Sequence, residues 1–240
     1  MPETIKQTQL FRFDEMAVPV KVKVEPKEAD VDRYVGLEHI DPESLKIRRW
    51  GEPSDVESSK ILFRSGDIIF GKRRAYQRKL AVADFDGICS AHAMVLRPKT
   101  DVVLEEFLPF FMQSDIFMDR AVKISVGGLS PTINWRDLAK EEFALPPLEE
   151  QRRIAEVLQA AERKRDALEV LQSSLAIGRA SFSNSTFTNH PWLTSQLGDL
   201  IEYASDGPFG SKIKSEHYSE SGVRVIRLQN IDINESTSCC

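Results

Sequence analysis

The junction Leu145-Pro-Pro-Leu-Glu-Glu-Gln-Arg-Arg-Ile154 constrains this chain more than any other stretch. A proline cannot donate to a strand ladder or continue a helix, so Pro146 and Pro147 stop whatever precedes them. Pro147 can still open a helix, and Glu149 and Glu150 then fall in its first turn, where the helix dipole favours acids. Beyond it, Ile154, Ala161, Leu168 and Leu175 recur every seven residues, with Val157, Leu158 and Leu171 on adjoining positions. The spacing predicts a helix from Leu148 to about Ile177, on the order of 45 Å long. Its apolar seam is narrow and is interrupted at Lys164. Such a seam needs a partner helix, as in a coiled coil; the alternative is a helix packed on its own domain.

Before the junction the signals are those of a mixed domain. Val18, Val20, Val22 and Val24 alternate with polar residues and Pro19, which predicts a strand at a sheet edge. Tyr34 to Ile40, Ile61 to Phe63 and Asp67 to Phe70 are further strand candidates. Lys79 to Phe85 and Ile88 to Leu96 flank Asp86-Gly87, a hairpin turn signal. Leu104 to Ile124 reads as one core helix or two, interrupted near Pro109 or Ser114. Gly127 to Pro131 reads as a loop, after which Asn134 is placed to cap a short helix from Trp135 to Glu141. The fold class expected is α+β. One mixed α/β domain spans residues 1–147, a coiled-coil type spacer helix 148–180 and a linker 181–191.

With 240 residues, 41% of them hydrophobic, the chain can bury a substantial core. No run approaches the roughly 18 apolar residues of a membrane span, and Met1-Pro2-Glu3-Thr4 carries no signal-peptide pattern. Cys89, Cys239 and Cys240 lack zinc-ligand spacing, which fits a reducing cytoplasmic setting. The net charge of −5 is unevenly spread: residues 25–59 hold ten acids against five bases, whereas 60–79 hold seven bases against Asp67 alone. A polyanion responds to the local field rather than to the sum. Lys72, Arg73, Arg74, Arg78 and Lys79, with Tyr76 among them and Gly71 before, suit a loop that approaches a phosphate backbone. A solvated basic face is the plainer reading of the same residues.

Catalytic signatures are missing from the sequence. Gly207-Pro-Phe-Gly-Ser-Lys212 is too short for a phosphate-cradling loop, and the Pro-Pro pair lacks the acidic or amide residue of an amino-methyltransferase motif. His39, His92, His190 and His217 show no ligand spacing and read as structural or exposed. Asp84 and Asp86 fit a turn better than a metal nuclease site. No catalytic residue and no metal site are expected.

A partial repeat appears after the helix. Val35-Gly-Leu37-Glu-His-Ile40-Asp41 matches Ile226-Arg-Leu228-Gln-Asn-Ile231-Asp232 at Leu, Ile and Asp. Together with Phe63-Arg-Ser-Gly-Asp-Ile-Ile-Phe-Gly71, Ala83-Asp-Phe-Asp-Gly-Ile-Cys-Ser90, the Leu145–Ile154 junction and Asp206-Gly-Pro-Phe-Gly-Ser-Lys212, these segments follow one family's order. The chain resembles the DNA-specificity subunit of a type I restriction–modification system.

The resemblance implies a target-recognition domain reading one half of a split site in double-stranded DNA, a spacer helix setting the half-site distance, and an incomplete second recognition domain at 192–240. A truncated or half-length subunit is the form it suggests. It places Lys72, Arg73, Arg74, Tyr76, Arg78 and Lys79 at DNA, with Ser130 and Asn134 on a second loop nearby. Ile154, Val157, Leu158, Ala161, Leu168, Leu171 and Leu175 would contact a partner helix, from a second copy in a homodimer or from the methyltransferase subunits; the restriction subunit joins through the complex. S-adenosylmethionine, ATP and magnesium would belong to those partners, and no cofactor to this chain. The alternative is a regulatory fragment that binds partner subunits through the helix and reads little DNA itself.

Overall fold

A computed structural model describes residues 8–189, together with positions 196 and 199. By internal contacts the chain divides into residues 1–176 and 177–240. The elements in order are β1 (Gln9–Arg12), α1 (Phe13–Met16), β2 (Ala17–Val20), β3 (Lys23–Val24), β4 (Tyr34–Val35), β5 (Lys60–Phe63), β6 (Ile68–Gly71), β7 (Leu80–Val82), β8 (Gly87–Cys89), β9 (Ala93–Pro98), α2 (Leu108–Gln113), α3 (Asp115–Lys123), α4 (Trp135–Leu138), β10 (Glu142–Leu145) and α5 (Leu148–Asn189).

Two four-stranded sheets carry the first unit. One is antiparallel throughout, in the order β2-β9-β6-β7; the other runs β3-β5-β8-β4 with β4 and β8 parallel. Side chains alternate across a strand, and in the first sheet both faces are covered. Ile68, Phe70, Met94 and Leu96 join α1, α2, α3 and Phe143 in one core, while Ile69, Ala81, Ala93 and Val95 join Val35, Ile40, Phe63 and Cys89 in another. The unbroken apolar run Ile68-Ile69-Phe70 follows from that double burial. Phe13, Phe111, Phe117 and Phe143 tile the helical side, with Phe13 and Phe117 centroids 5.3 Å apart. Asp67, only 2% exposed, accepts both an Arg97 pair (2.8 and 3.0 Å) and the Arg64 backbone N–H (2.9 Å).

The expected α+β class stands, with several elements redrawn. The alternating valine run breaks into β2 and β3; β2 does lie at a sheet edge, where Pro19 costs no ladder bond. Tyr34 to Ile40 is a strand only through Val35, because Gly36 opens a 3₁₀ turn closed by its N–H donating to His39 Nδ1 at 3.1 Å. The hairpin at Asp86-Gly87 does not form: β7 and β8 belong to different sheets. Asp86 instead accepts from the Ser65 N–H (2.8 Å) and from Arg64 (2.6 Å), tying two loops together. Gly87 is required by close approach, since a Cβ there would lie 2.6 Å from the Phe63 ring and 2.8 Å from the Arg33 carbonyl. The core helix starts at Leu108 and splits at Ser114, whose side chain caps α3. β1 and β10 pair as an antiparallel ribbon that the sequence pattern did not signal.

The helix after the junction runs 42 residues to Asn189, through the stretch 181–189 expected to be a linker. The serine and threonine hydroxyls there fold back onto the preceding turn: Ser185 and Thr186 both donate to the Phe182 carbonyl, so polar composition does not end the helix. The expected second domain at 192–240, with its repeat motif, lies outside the described residues.

Candidate nucleic-acid interface

β6 and β7 are antiparallel neighbours joined by residues 72–79, so the basic run is the tip of a hairpin. Gly71 permits the reversal: its N–H donates to the Lys79 carbonyl at 2.8 Å, and a Cβ would crowd that same oxygen at 3.2 Å. Buried Ala75 anchors a 3₁₀ turn, Ala75–Gln77, bracketed by Arg74 and Arg78 in left-handed conformation (φ 56° and 53°). Each strained residue throws its guanidinium in a different direction, and this separates the basic residues into two sets.

The first set faces a polar cleft of about 320 Å³ lined by Leu37, Glu38, Arg73, Arg74, Gln77, Ser90 and His92. Residues 37–38, 73–77 and 90–92 supply its lining, and the loop that carries Ser130 is bonded to Arg74. The Arg73 N–H donates to the His92 carbonyl (3.3 Å), and the Arg73 guanidinium lies 3.2 Å from His92 Nε2. The Arg74 N–H donates to the Pro131 carbonyl (2.8 Å) and its Nε to the Ser130 hydroxyl (3.2 Å). The Ser130 loop is itself closed by paired bonds between Val126 and Thr132, with Gly127 at φ 121° and Leu129 97% exposed at its tip. Tyr76 stands exposed in the same turn, between Arg74 and Arg78.

The second set is turned inward. Arg78 donates to Asp115 (2.8 Å) and to the Gln113 carbonyl, and lies 3.6 Å from Glu43. The Lys79 ammonium donates to the Leu37 carbonyl at 2.6 Å. Lys72 is half-buried, and burial pulls its pKa below the usual lysine range. Asn134 is exposed next to the loop; its carbonyl accepts the first bonds of α4, but its side chain makes no cap. Gln77 and Ser90 are not among the DNA-facing residues expected from the sequence, and His92 is expected there only as structural or exposed. The signal available was the polar step Ser90-Ala-His92, which interrupts what read as one strand from Ile88 to Leu96.

Among the described residues no cluster of three or more His, Cys, Asp or Glu side chains could hold a metal, and no helix is long and apolar enough to cross a membrane.

The helix α5 presents two lanes. At about 100° per residue, Gln151, Ala155, Glu162, Asp166 and Glu169 fall within a strip roughly 60° wide, and the seam residues are centred roughly 120° away. The first strip packs on the domain: Gln151 and Ala155 are buried, and Lys46 and Arg48 reach Asp166 and Glu169. Of the seam, Ile154 is partly buried, whereas Val157, Leu158, Ala161, Leu168, Leu171 and Leu175 are exposed. The helix therefore packs on its own domain and still leaves its seam open.

Residues 40–176, more than half of the chain, match the family described as the type I restriction modification DNA specificity domain. The chain belongs to that specificity family. It is 30% identical over 156 residues to the type I restriction enzyme EcoDI specificity subunit of Escherichia coli, a match covering 64% of this chain and 34% of that one. The HsdS subunit from Thermoanaerobacter tengcongensis shares its fold, with a TM-score of 0.57 and 24% identity over 82% of this chain and 54% of that one. A chain solved in work on complex assembly and conformational transition of the type I R–M system aligns equally well, at 25% identity. The chain thus spans about a third of the curated relative's length and about half of the solved chains. Specificity subunits are non-catalytic.

Proposed function

We propose that this chain reads one half of a split double-stranded DNA site within a type I restriction–modification complex, in the cytoplasm. The observation that carries the proposal is the convergence of Arg73, Arg74, Gln77, Ser90 and His92 from two loops on one polar cleft, with Ser130 of a third loop bonded to Arg74, in a chain of the specificity family. Arginine forks bind phosphates, or take guanine O6 and N7 bidentately; glutamine pairs in the same way with adenine. Arg73 and Arg74 carry the charge, Gln77, His92 and Ser130 add hydrogen-bonding groups, and Tyr76 and Leu129 offer apolar contact at the rim. Lys72 and Asn134 contribute at the margin. Arg78 and Lys79, turned inward, brace the loop.

The open seam of α5 takes a partner helix, either from methyltransferase subunits or from a second copy in a two-fold dimer, which would make the split site palindromic. Methylation with S-adenosylmethionine, and cleavage with ATP and magnesium, belong to the partner subunits.

Selection from a randomised duplex pool, using the chain complexed with its methyltransferase, tests this reading. A defined motif should emerge with wild type. It should be lost with Arg73→Ala plus Arg74→Gly, glycine being chosen because it tolerates the left-handed conformation. Recovery of the same motif by that variant would overturn the assignment.

A further inference from the structure

The structure assigns Gln151 and the Lys46/Arg48–Asp166 cluster as positioning residues, a two-point lock that fixes the direction of α5 relative to the DNA-reading cleft. The first point lies inside the junction. Gln151 is 1% exposed, and all of its amide is used: Oε1 accepts from the Leu104 N–H, while Nε2 donates to the carbonyls of Val102 and Pro146, each at 3.0 Å. A buried side-chain amide is costly unless every group is paired. Here the pairing spans the loop before α2 and the residue after β10, so it registers the first turn of α5 against two parts of the domain. Ala155, on the same strip, is buried one turn later and leaves no room for the helix to roll.

One fixed point would leave the helix free to swing about its end. The second point lies about four turns further on, roughly 22 Å along the axis. Lys46 donates to Asp166, and Arg48 reaches Asp166 at 3.2 Å and Glu169 at 3.3 Å. Arg48 is itself held by the Ser44 hydroxyl at 3.0 Å, and Ser44 is buried. Exposed ion pairs add little stability singly; their effect here is geometric, because they act at the end of a lever whose other end Gln151 pins. The lane that locks the helix is separate from the seam, so a partner can occupy the seam without releasing the lock. The inference rests on the proposed reading only in that a fixed helix direction matters for half-site spacing.

Electron-spin distance measurement tests it on the full chain, with labels at Ile116→Cys and Ser174→Cys, Cys239 and Cys240 replaced by serine, and unlabelled chain added in excess to suppress distances between copies. Buried Cys89 is left in place. Wild type should give one narrow distance. Gln151→Ala should lose that narrow peak, and so should Asp166→Asn, a surface change that leaves the domain fold intact. Asp166→Glu, which keeps the charge facing Lys46 and Arg48, should retain it. A peak as narrow as wild type in both Gln151→Ala and Asp166→Asn would overturn the lock. The same variants are then assayed with split duplexes of varied spacer length. A relaxed length preference supports positioning, whereas an unchanged preference despite a broadened distance would overturn that role. Failure of the DNA-reading proposal would look different: no site preference in wild type, with the distance result unaffected.

Discussion

Arg74 and Ser130 meet across 56 residues of sequence, the Arg74 Nε donating to the Ser130 hydroxyl at 3.2 Å while the Arg74 backbone N–H donates to the Pro131 carbonyl. The backbone bond fixes the loops together, and the side-chain bond aims the guanidinium. Ser130→Ala therefore frees Arg74 without dismantling the surface. DNA affinity should fall by about 1 kcal/mol or less, roughly fivefold at most, with the melting temperature unchanged. Fluorescence anisotropy with the selected duplex, beside a thermal melt, measures both.

Arg78 should behave in the opposite way. It links the hairpin tip to Asp115, to the Gln113 carbonyl and to Glu43. Arg78→Ala should cost about 1–3 kcal/mol of stability, read as a lower urea midpoint, and leave the salt dependence of DNA binding as it was. A shallower salt slope with normal stability would return Arg78 to the DNA surface.

Cys89 lies in the core between the two sheets, and burial pushes its thiol up to about 12. A thiol so far from ionised is a poor nucleophile. At pH 8 the native chain with Cys239 and Cys240 replaced should resist iodoacetamide, and the same chain in urea should be alkylated. Rapid labelling of the native chain would contradict the packing described.

Arg74 and Arg78 mark the boundary between what is legible in the sequence and what is not. Strand content, the core helix and the post-proline helix follow from periodicity and from proline chemistry, which are local. The basic run was legible as a run, but not its division into Arg73 and Arg74 on one side and Arg78 and Lys79 on the other. That division depends on two left-handed residues and on acceptors from residues 37, 113 and 115. The hairpin at Asp86-Gly87 failed for a similar reason. Local turn chemistry favoured it, but Asp86 is engaged by Arg64 and Ser65, and Gly87 by the Phe63 ring. The continuation of α5 past residue 180 is not legible in the sequence, because serine-rich composition signals a linker while side-chain bonds to the preceding turn satisfy a helix equally well.

The Asp166 carboxyl is held below the ordinary carboxylate range, first by the hydrogen bond from Lys46, which burial opposes as the next largest influence, and then by the charges of Lys46, Arg48 and Arg165. A depressed carboxylate contributes stability above its unfolded pKa and loses it as pH falls through the lower folded value. The contact between α5 and the Lys46 segment should therefore be intact at neutral pH and be lost only below the ordinary value of 3.8. Amide exchange in the helix around residue 166, followed from pH 6 to pH 3 and corrected for intrinsic rates, should show protection falling at the acid end in wild type. Asp166→Asn should show the lower protection at every pH.

The central claim is that the Arg73–Arg74 cleft meets DNA, and the salt dependence of binding tests it most directly. Each phosphate neutralised contributes close to one to the slope of log K against log salt. Binding of the selected duplex should weaken steeply with salt in wild type. With Arg73→Ala plus Arg74→Gly the slope should become shallower by roughly two, while the fold survives by thermal melt. An identical slope and affinity in the folded double variant would contradict the account.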